Sequence, residues 1–426
     1  MTADADRRDF ALLFLVMLTT AAGNTALQSV LPAIGRQLGL PDLVVALVFS
    51  FSALVWSLAA PVWARRSDRR GRRQMVLIGL GGFTGSCFVC ALALTAGLWG
   101  WTGPAATFIL FVGGRILYGY FGAAAPPAAQ ALVAARTGPG ERVQALTLLA
   151  SAFGLGTILG PALAPFFMLP GVGLAGPAYI FALFGVATWL VVGRLLGDER
   201  DLGDVGGAAN AEPSIGGEPS GAAVIAAVNT QSPGQLAWND ARLWPWMVSG
   251  VVAGHAQAMA SQAMGFLIID RLALPPIAAQ PLIGLVLMAG AGAALLAQWG
   301  IIPRLKLSPR ALILWGAMAG AAGCGLIALA DTIHALATSF AIASLGFGLL
   351  RPGFTAGASL AVGSREQGAV AGRVTSINGA VYVVGPAIGI ALYQVARPLP
   401  YLAAAAALIL LLGYALRALT PSARAG

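Results

Sequence analysis

Six arginines and one aspartate lie within nine consecutive residues, from Arg65 to Arg73. The stretch ends in the ordered run Asp68-Arg69-Arg70-Gly71-Arg72-Arg73. A carboxylate here can accept hydrogen bonds from free N–H groups at the start of another helix, where the helix dipole favours negative charge. The arginines can bridge to loop acids such as Glu141 and Glu366. The cluster is either a polar gate or only a signal for chain orientation, and the Asp-x-x-Gly order favours the gate.

Arg115 is a second chemically distinctive residue, because it lies inside a long apolar stretch. A charge in the middle of a bilayer costs about 2.5–3.5 kcal/mol on insertion scales and marks a functional site by default. The alternative is a structural arginine whose donors are satisfied by backbone carbonyls.

A pattern of small residues, Gly156-x-x-x-Gly160-Pro161, lies in another apolar stretch. Small residues four apart let two helices touch closely, and the proline removes a backbone donor and bends its helix. Gly385-Pro386 repeats the Gly-Pro pair later in the chain. Ordinary tight packing is the alternative reading of both.

In three apolar stretches, polar residues recur at helical spacing, together with Met259 and Gly385, so that each set shares one helix face. The sets are Thr20, Asn24 and Gln28; His255, Met259 and Gln262; and Asn378, Tyr382 and Gly385. Bonding between helices is the alternative role of each Asn and Gln. Histidine ordinarily titrates near neutral pH, so His255 is a candidate proton carrier, or else a neutral helix residue.

Composition shows which elements must position these groups. Hydrophobic residues make up 58% of the chain, charged residues 10%, and mean hydropathy is +0.81. Soluble domains carry about 25% charged residues. Apolar stretches of about 20 residues, long enough to span a bilayer as a helix, recur along the chain. The prediction is an all-α polytopic membrane protein that contacts lipid.

The net charge of +9 does not indicate a nucleic-acid partner, because the arginines cluster in short loops without any nucleic-acid-binding motif. Cys87 and Cys90 have a C-x-x-C spacing but lie in an apolar span without a nearby His or acid, which favours plain packing. No metal or cofactor is predicted.

Twelve spans are predicted, in two halves joined by a Gly-, Ala- and Pro-rich linker. The domains are residues 1–197, a disordered cytoplasmic linker at 198–243, and 244–426. With both termini in the cytoplasm, all but five of the 25 basic residues fall in cytoplasmic segments or span ends, as the positive-inside rule requires. The predicted spans are Phe10–Leu31, Leu43–Ala64, Met75–Leu98, Ala105–Leu132, Ala145–Met168, Gly173–Leu196, Trp244–Ile269, Ile277–Ile302, Ala311–Ala330, Ile333–Leu360, Ala371–Gln394 and Pro398–Leu416.

The two halves carry an internal repeat. At an offset of 225 residues, Pro127 matches Pro352, Glu141 matches Glu366 and Gly160-Pro161 matches Gly385-Pro386. Parallel repeats of six helices are a known transporter architecture, with the substrate site near mid-membrane where the repeats meet.

The loop Asp68–Arg73 between the second and third spans resembles the signature loop of the major facilitator superfamily. Ala64 stands where that pattern usually has Gly, and the second-half loop Pro303–Arg310 has no acid. The resemblance implies twelve helices in two pseudo-symmetric six-helix bundles. It also implies transport of a small molecule by alternating access, in a monomer of the bacterial inner membrane.

Two further motifs resemble those of proton-coupled exporters in this family. Arg115-x-x-x-Gly119 is similar to their fourth-helix motif, which implies a role in proton transfer. Gly156-x-x-x-Gly160-Pro161 is similar to their antiporter motif, although Ala164 stands where Gly is common. In this family the first, fourth, seventh and tenth helices line the cavity, which adds Arg351, His255 and Gln262 to the candidates.

The chain has no carboxylate in mid-span, whereas many such exporters have an acid in the first or fourth helix. Outside the N-terminal tail and the linker, all acids lie at span ends or in loops: Asp42, Asp68, Glu141, Asp270, Asp331 and Glu366. His255, Asp42 or Asp270 would have to take up the proton instead.

The predicted function is proton-coupled efflux of a small organic compound or drug. The alternative is an importer or facilitator of an anionic or zwitterionic metabolite, with Arg115 and Arg351 binding it. A membrane enzyme or receptor is a remote alternative, because no catalytic constellation or ligand domain is evident.

Overall fold

The computed structural model describes residues 3–137, 142–197, 237, 239–363 and 366–419. Within these ranges the regular structure is helical. The helices group into two compact units, one ending with the helix Gly176–Leu195 and the other beginning at Trp244. The predicted linker lies mostly outside the described residues.

The first unit contains spans 1 to 6. They are Ala3–Gln37; Asp42–Arg70; Arg72–Leu98; Pro104–Phe121 with Gly122–Ala124 and Ala125–Arg136; Arg142–Leu163 with Ala164–Phe167; and Gly176–Leu195, preceded by the turn Gly173–Ala175. Span 4 was predicted as one helix but is interrupted by the 3-10 turn Gly122–Ala124. Pro126 and Pro127 follow the turn in the first positions of the next helix, where their missing N–H groups cost least.

The second unit contains spans 7 to 12. They are Trp244–Leu272; Pro276–Leu295 continued by Leu296–Ile301 and Ile302–Leu305; Pro309–Leu329; Ile333–Leu360; Gln367–Val395; and Leu399–Ala418. Eleven of the described helices are long and apolar enough to cross a membrane. Span 7 is not among them although it has 29 residues, because His255, Gln257, Ser261 and Gln262 make it more polar.

The same helix pairs pack within each unit. Span 1 packs on span 5 and span 3 on span 4, just as span 7 packs on span 11 and span 9 on span 10. Spans 3 and 6 pack together, as do spans 9 and 12. This correspondence is what the internal repeat predicts, and it makes the chain an all-α protein of two pseudo-symmetric six-helix bundles.

The N-terminal segment differs from the prediction. The first span was predicted to begin at Phe10, but it is helical from Ala3, and Asp9 is 1% exposed. Asp9 pairs with the buried Arg136 at the end of span 4 and accepts a hydrogen bond from the backbone N–H of Gly197 at 3.3 Å. The ion pair lets the helix continue past a charge that composition alone would place in water.

Candidate functional site

The signature loop is a sharp turn between spans 2 and 3. Asp68, Arg69 and Arg70 close span 2, and Gly71 separates them from Arg72 with a φ of 92°. Only glycine adopts this conformation without strain, which explains the Gly of the pattern. The side chains of Asp68 and Arg69, and the whole of Glu141, lie outside the described part of the chain. The gate therefore stays a prediction.

The last two arginines of the loop bind backbone carbonyls inside the first unit. Arg72 is buried and donates to the carbonyl of Ala131 in span 4 at 3.3 Å. Arg73 donates to the carbonyl of Gly193 at 2.5 Å. Gly193 is in the last turn of span 6, where carbonyls have no partner within the helix and the dipole favours cations. These carbonyl contacts were not anticipated, because a sequence does not show which backbone carbonyls face an arginine.

Glu366, the acid predicted for the second half of the gate, pairs with Arg242. The two guanidinium nitrogens of Arg242 lie 2.9 and 3.2 Å from the Glu366 carboxylate oxygens. Arg242 also donates to Asp240 at 2.8 Å. These bonds lower the pKa of Asp240 to about 2 and also lower the pKa of Glu366. Sequence reasoning missed Arg242, although the Asp-x-Arg spacing before span 7 was a possible signal.

Arg115 is held by neutral groups deep in the first unit. It is 4% exposed, and its Nη2 donates to the side-chain oxygen of Asn24 at 2.8 Å. The guanidinium carbon lies 4.8 Å from the ring centres of Phe49 and Tyr118. Its Nε has no hydrogen-bond partner among the described residues. Cation–π contacts of this kind stabilise a desolvated guanidinium by about 2 kcal/mol.

Gly156 and Gly160 bring span 5 against the backbone of span 1. A Cβ on Gly160 would lie 2.3 Å from the carbonyl oxygen of Ala22 and 2.8 Å from the backbone nitrogen of Ala26. A Cβ on Gly156 would lie 2.9 Å from the backbone nitrogen of Ala22. Pro161 follows inside the helix. Span 5 therefore lies close against the backbone of span 1 at both glycines.

The corresponding glycine in span 11 makes a similar contact. A Cβ on Gly385 would lie 2.6 Å from the Cβ of Ala258 in span 7, and Pro386 follows inside the helix. Gly389, one turn later, approaches the backbone of Met259, with 2.7 Å from its virtual Cβ to the Met259 Cα. The sequence did not single out Gly389. Gly119 in span 4 is equally constrained, because a Cβ there would lie 2.7 Å from the Ser52 carbonyl oxygen.

The remaining polar candidates have varied surroundings. In the first unit Asn24 binds Arg115, and Gln28 is half-buried. In the second unit a ring nitrogen of His255 lies 2.8 Å from the carbonyl oxygen of Val251, and Gln262 is buried. Arg351 and Tyr382 are half-buried. The side-chain nitrogen of Asn378 is buried without a hydrogen-bond partner among the described residues.

The acids at the predicted outer span ends form separate contacts. Asp42 pairs with Arg36 at 2.7 Å, and Asp331 pairs with Arg271 at 2.6 Å. Asp270 accepts a hydrogen bond from the Tyr393 hydroxyl at 2.6 Å.

Metal and thiol chemistry find no support in the part of the chain that the structure describes. No cluster of His, Cys, Asp and Glu there could hold a metal ion. Cys87, Cys90 and Cys324 are free and buried. The Cys90 sulfur lies 3.7 Å from the Phe111 carbonyl oxygen, as expected of a packed thiol.

Comparisons with known proteins agree with this architecture. The family model described as Major Facilitator Superfamily matches residues 13–386. A class B tetracycline resistance protein of Escherichia coli is 25% identical over 392 residues, covering 90% of this chain and 88% of the relative. The multidrug efflux pump LfrA of Mycolicibacterium smegmatis is 27% identical over 420 residues, covering 86% of this chain and 79% of the pump.

Two solved structures share the fold. The human organic anion transporter MFSD10 (TETRAN) has a TM-score of 0.66 at 18% identity, covering 97% of this chain and 100% of that one. A bacterial homolog of the human lysosomal transporter Spinster, inward-facing and unoccupied, has a TM-score of 0.69 at 12% identity, covering 98% of each chain.

Proposed function

Because the chain belongs to the major facilitator superfamily, we propose that it exports a small organic compound in exchange for protons. Members of this family are multi-pass membrane transporters and not enzymes. The direction of transport, the coupling ion and the class of substrate are the properties that we propose.

The observation that carries the proposal of export is the contact of Gly156 and Gly160 with span 1. Their pattern resembles the antiporter motif of drug exporters, and the backbone distances explain why larger residues would not fit. The names of two relatives, a tetracycline resistance protein and a multidrug efflux pump, point the same way.

We further propose a monomer in the bacterial inner membrane with both termini in the cytoplasm. The distribution of basic residues supports this orientation. Asp68, Gly71 and the adjacent arginines would then form the cytoplasmic gate together with Glu141 and Glu366.

Uptake of tetracycline into everted membrane vesicles tests direction and coupling together. Vesicles containing the protein should accumulate tetracycline when a proton gradient is imposed, and an uncoupler should abolish the accumulation. Vesicles from cells that lack the protein are the control for leakage. Equilibration that ignores the gradient would contradict proton-coupled export.

A second candidate function is facilitated transport of an anionic or zwitterionic metabolite. Arg115 favours it, because this buried guanidinium contacts a neutral amide and two rings rather than a described carboxylate. Gradient-independent uptake of an organic anion, lost in Arg115→Gln, would support this alternative over export.

A further inference from the structure

We propose that the end of span 8 binds an anionic phospholipid, with Arg304 and Lys306 at its headgroup and with Leu296 and Trp299 along its acyl chains. The proposal rests on the membrane-spanning fold and not on the direction or coupling of transport. It concerns the loop Pro303–Arg310 between spans 8 and 9, which takes the place of the signature loop in the second half but contains no acid. A carboxylate of the loop itself therefore cannot neutralise its three cations.

One of these three cations has a structural role that both units share. Arg310, the second residue of span 9, donates to the carbonyl oxygen of Leu419 at 2.6 Å, just past the end of span 12. Arg73, the second residue of span 3, makes the same kind of contact with Gly193 near the end of span 6. The internal repeat thus accounts for Arg310 as a contact between helix ends.

The other two cations, Arg304 and Lys306, are exposed at the end of span 8. Lys306 has a left-handed backbone with a φ of 45° and ends the helix directly after Leu305, so both cations lie at the same end of the span. Arg304 donates one hydrogen bond, from Nη1 to the carbonyl oxygen of Gly300 at 3.3 Å. No carboxylate among the described residues forms an ion pair with either cation. Both charges therefore remain accessible to an anion outside the protein.

Span 8 is long enough to place these cations among the lipid headgroups. It has 30 residues from Pro276 to Leu305, which as a helix measure about 45 Å. The hydrocarbon core of a bilayer is about 30 Å thick. The end of the span therefore extends past the hydrocarbon into the headgroup region.

An apolar strip on span 8 leads up to the two cations. Leu296, Trp299 and Leu305 are each more than half exposed. Leu296 and Trp299 belong to the π-helical turn Leu296–Ile301, a rare geometry that is frequent at functional sites. Tryptophan is enriched at the depth of the headgroups, because its ring is apolar and its N–H is polar. A phospholipid whose acyl chains lie along this strip has its phosphate next to the cations.

The charge of the site favours an anionic lipid over a zwitterionic one. Two positive charges face the headgroup without an acid of their own, and each cation near an anionic leaflet strengthens binding about 5-fold. A free phosphate would engage the cations but not the apolar strip. A lipid with a net negative headgroup matches both parts of the surface.

Quenching of Trp299 fluorescence by brominated phospholipids tests the proposed contact. The purified full-length protein is reconstituted in phosphatidylcholine with an increasing fraction of phosphatidylglycerol that carries bromine on its acyl chains. A parallel series uses brominated phosphatidylcholine. The difference between the wild type and Trp299→Phe isolates the signal of this tryptophan. We expect phosphatidylglycerol to quench it at a lower fraction than phosphatidylcholine does.

Arg304→Gln combined with Lys306→Gln should lower the relative affinity for phosphatidylglycerol about 5-fold for each charge removed. The matched control combines Arg242→Gln with Arg397→Gln, which removes two positive charges of the second unit that already pair with acids. The control should keep the wild-type preference. Arg304→Lys should keep it as well, because the charge remains.

Four results would overturn the proposal. They are equal quenching by both lipids in the wild type, an unchanged preference in the folded Arg304→Gln and Lys306→Gln double variant, an equal loss in the control, which would show an effect of net charge alone, and displacement of the lipid by inorganic phosphate. If the double variant fails to fold, Lys306→Gln alone tests the same point, since Lys306 makes no side-chain hydrogen bond among the described residues. An unchanged preference in that single variant would also overturn the proposal.

Discussion

Arg115 donates a hydrogen bond to Asn24 at 2.8 Å, so the one charge described in mid-span of the first unit rests on a neutral amide. The rings of Phe49 and Tyr118 complete its surroundings. No carboxylate in the described part of the chain pairs with this guanidinium. We therefore expect the site to favour an anion or the negative end of a substrate, as the second proposed function requires.

Replacing Arg115 by lysine should abolish most transport while leaving membrane insertion intact. Lysine keeps the charge but lacks the planar group that stacks on both rings and reaches Asn24. Transport in vesicles, normalised to protein in the membrane, measures the effect. Full activity in Arg115→Lys would mean that only the charge matters at this position.

Gly160→Ala should be strongly disruptive, because the new Cβ would lie 2.3 Å from the Ala22 carbonyl oxygen. The obstacle is backbone, so relief requires span 5 to move away from span 1. Overpacking of this kind costs about 1–3 kcal/mol. The midpoint temperature of thermal unfolding in detergent should fall, and transport activity should fall with it.

Gly113→Ala is the control for Gly160→Ala, since no atom lies within 4 Å of its virtual Cβ. It should leave both stability and transport unchanged. Equal behaviour of the two variants would contradict the close contact of spans 1 and 5.

Much of the fold follows from simple sequence patterns. Span 10 lies where the apolar stretch predicted it, at Ile333–Leu360, and Gly71 occupies a turn that needs a positive φ. These features depend on local chemistry, namely the length of an apolar run and the conformational freedom of glycine.

Features that depend on helix rotation or on distant partners were not predictable. Phe49 contacts Arg115 only because span 2 turns that face toward span 4, and periodicity does not fix such a rotation. The pair of Asp9 and Arg136 joins residues 127 positions apart in sequence. A charge at a span end looks solvated in a sequence, so the predicted first span began at Phe10 and left Asp9 out.

Asp9→Asn should destabilise the protein, because Arg136 would then be a buried charge without its counter-ion. The side chains of Arg136 and Asp9 are 5% and 2% exposed. Breaking a buried pair by removing one partner costs about 3–5 kcal/mol. The double variant Asp9→Asn with Arg136→Gln should recover part of the lost stability, since no unpaired charge remains. The midpoint of thermal unfolding, compared among the wild type, the single variant and the double variant, measures the loss of stability and its recovery. An unchanged midpoint in Asp9→Asn would refute the prediction.

Asp68→Asn should reduce transport without impairing insertion. The arginines that set the orientation of the loop remain, whereas the carboxylate that the gate requires is gone. Membrane fractionation and vesicle transport measure the two effects separately. Unchanged transport would mean that the loop is only an orientation signal.

Arg242→Gln should raise the pKa of both Asp240 and Glu366 toward their ordinary values. Arg242 lowers the pKa of Asp240 to about 2 from an ordinary value of 3.8, and it lowers that of Glu366 as well.

Because the folded-state pKa values of Asp240 and Glu366 are depressed, their pairs with Arg242 stabilise the protein fully above the ordinary pKa. That stabilisation is lost as pH falls through the folded value, which for Asp240 is the window from 3.8 to about 2. The ordinary pKa values of both carboxyl groups already lie well below neutral pH, so a change near neutral pH is not expected from them. Infrared titration of the carboxylate band, as a difference between the wild type and Glu366→Gln, should place Glu366 below its ordinary value only while Arg242 is present. An identical titration of Glu366 in Arg242→Gln would show that this arginine does not hold the acid, and would leave Glu366 available to other partners.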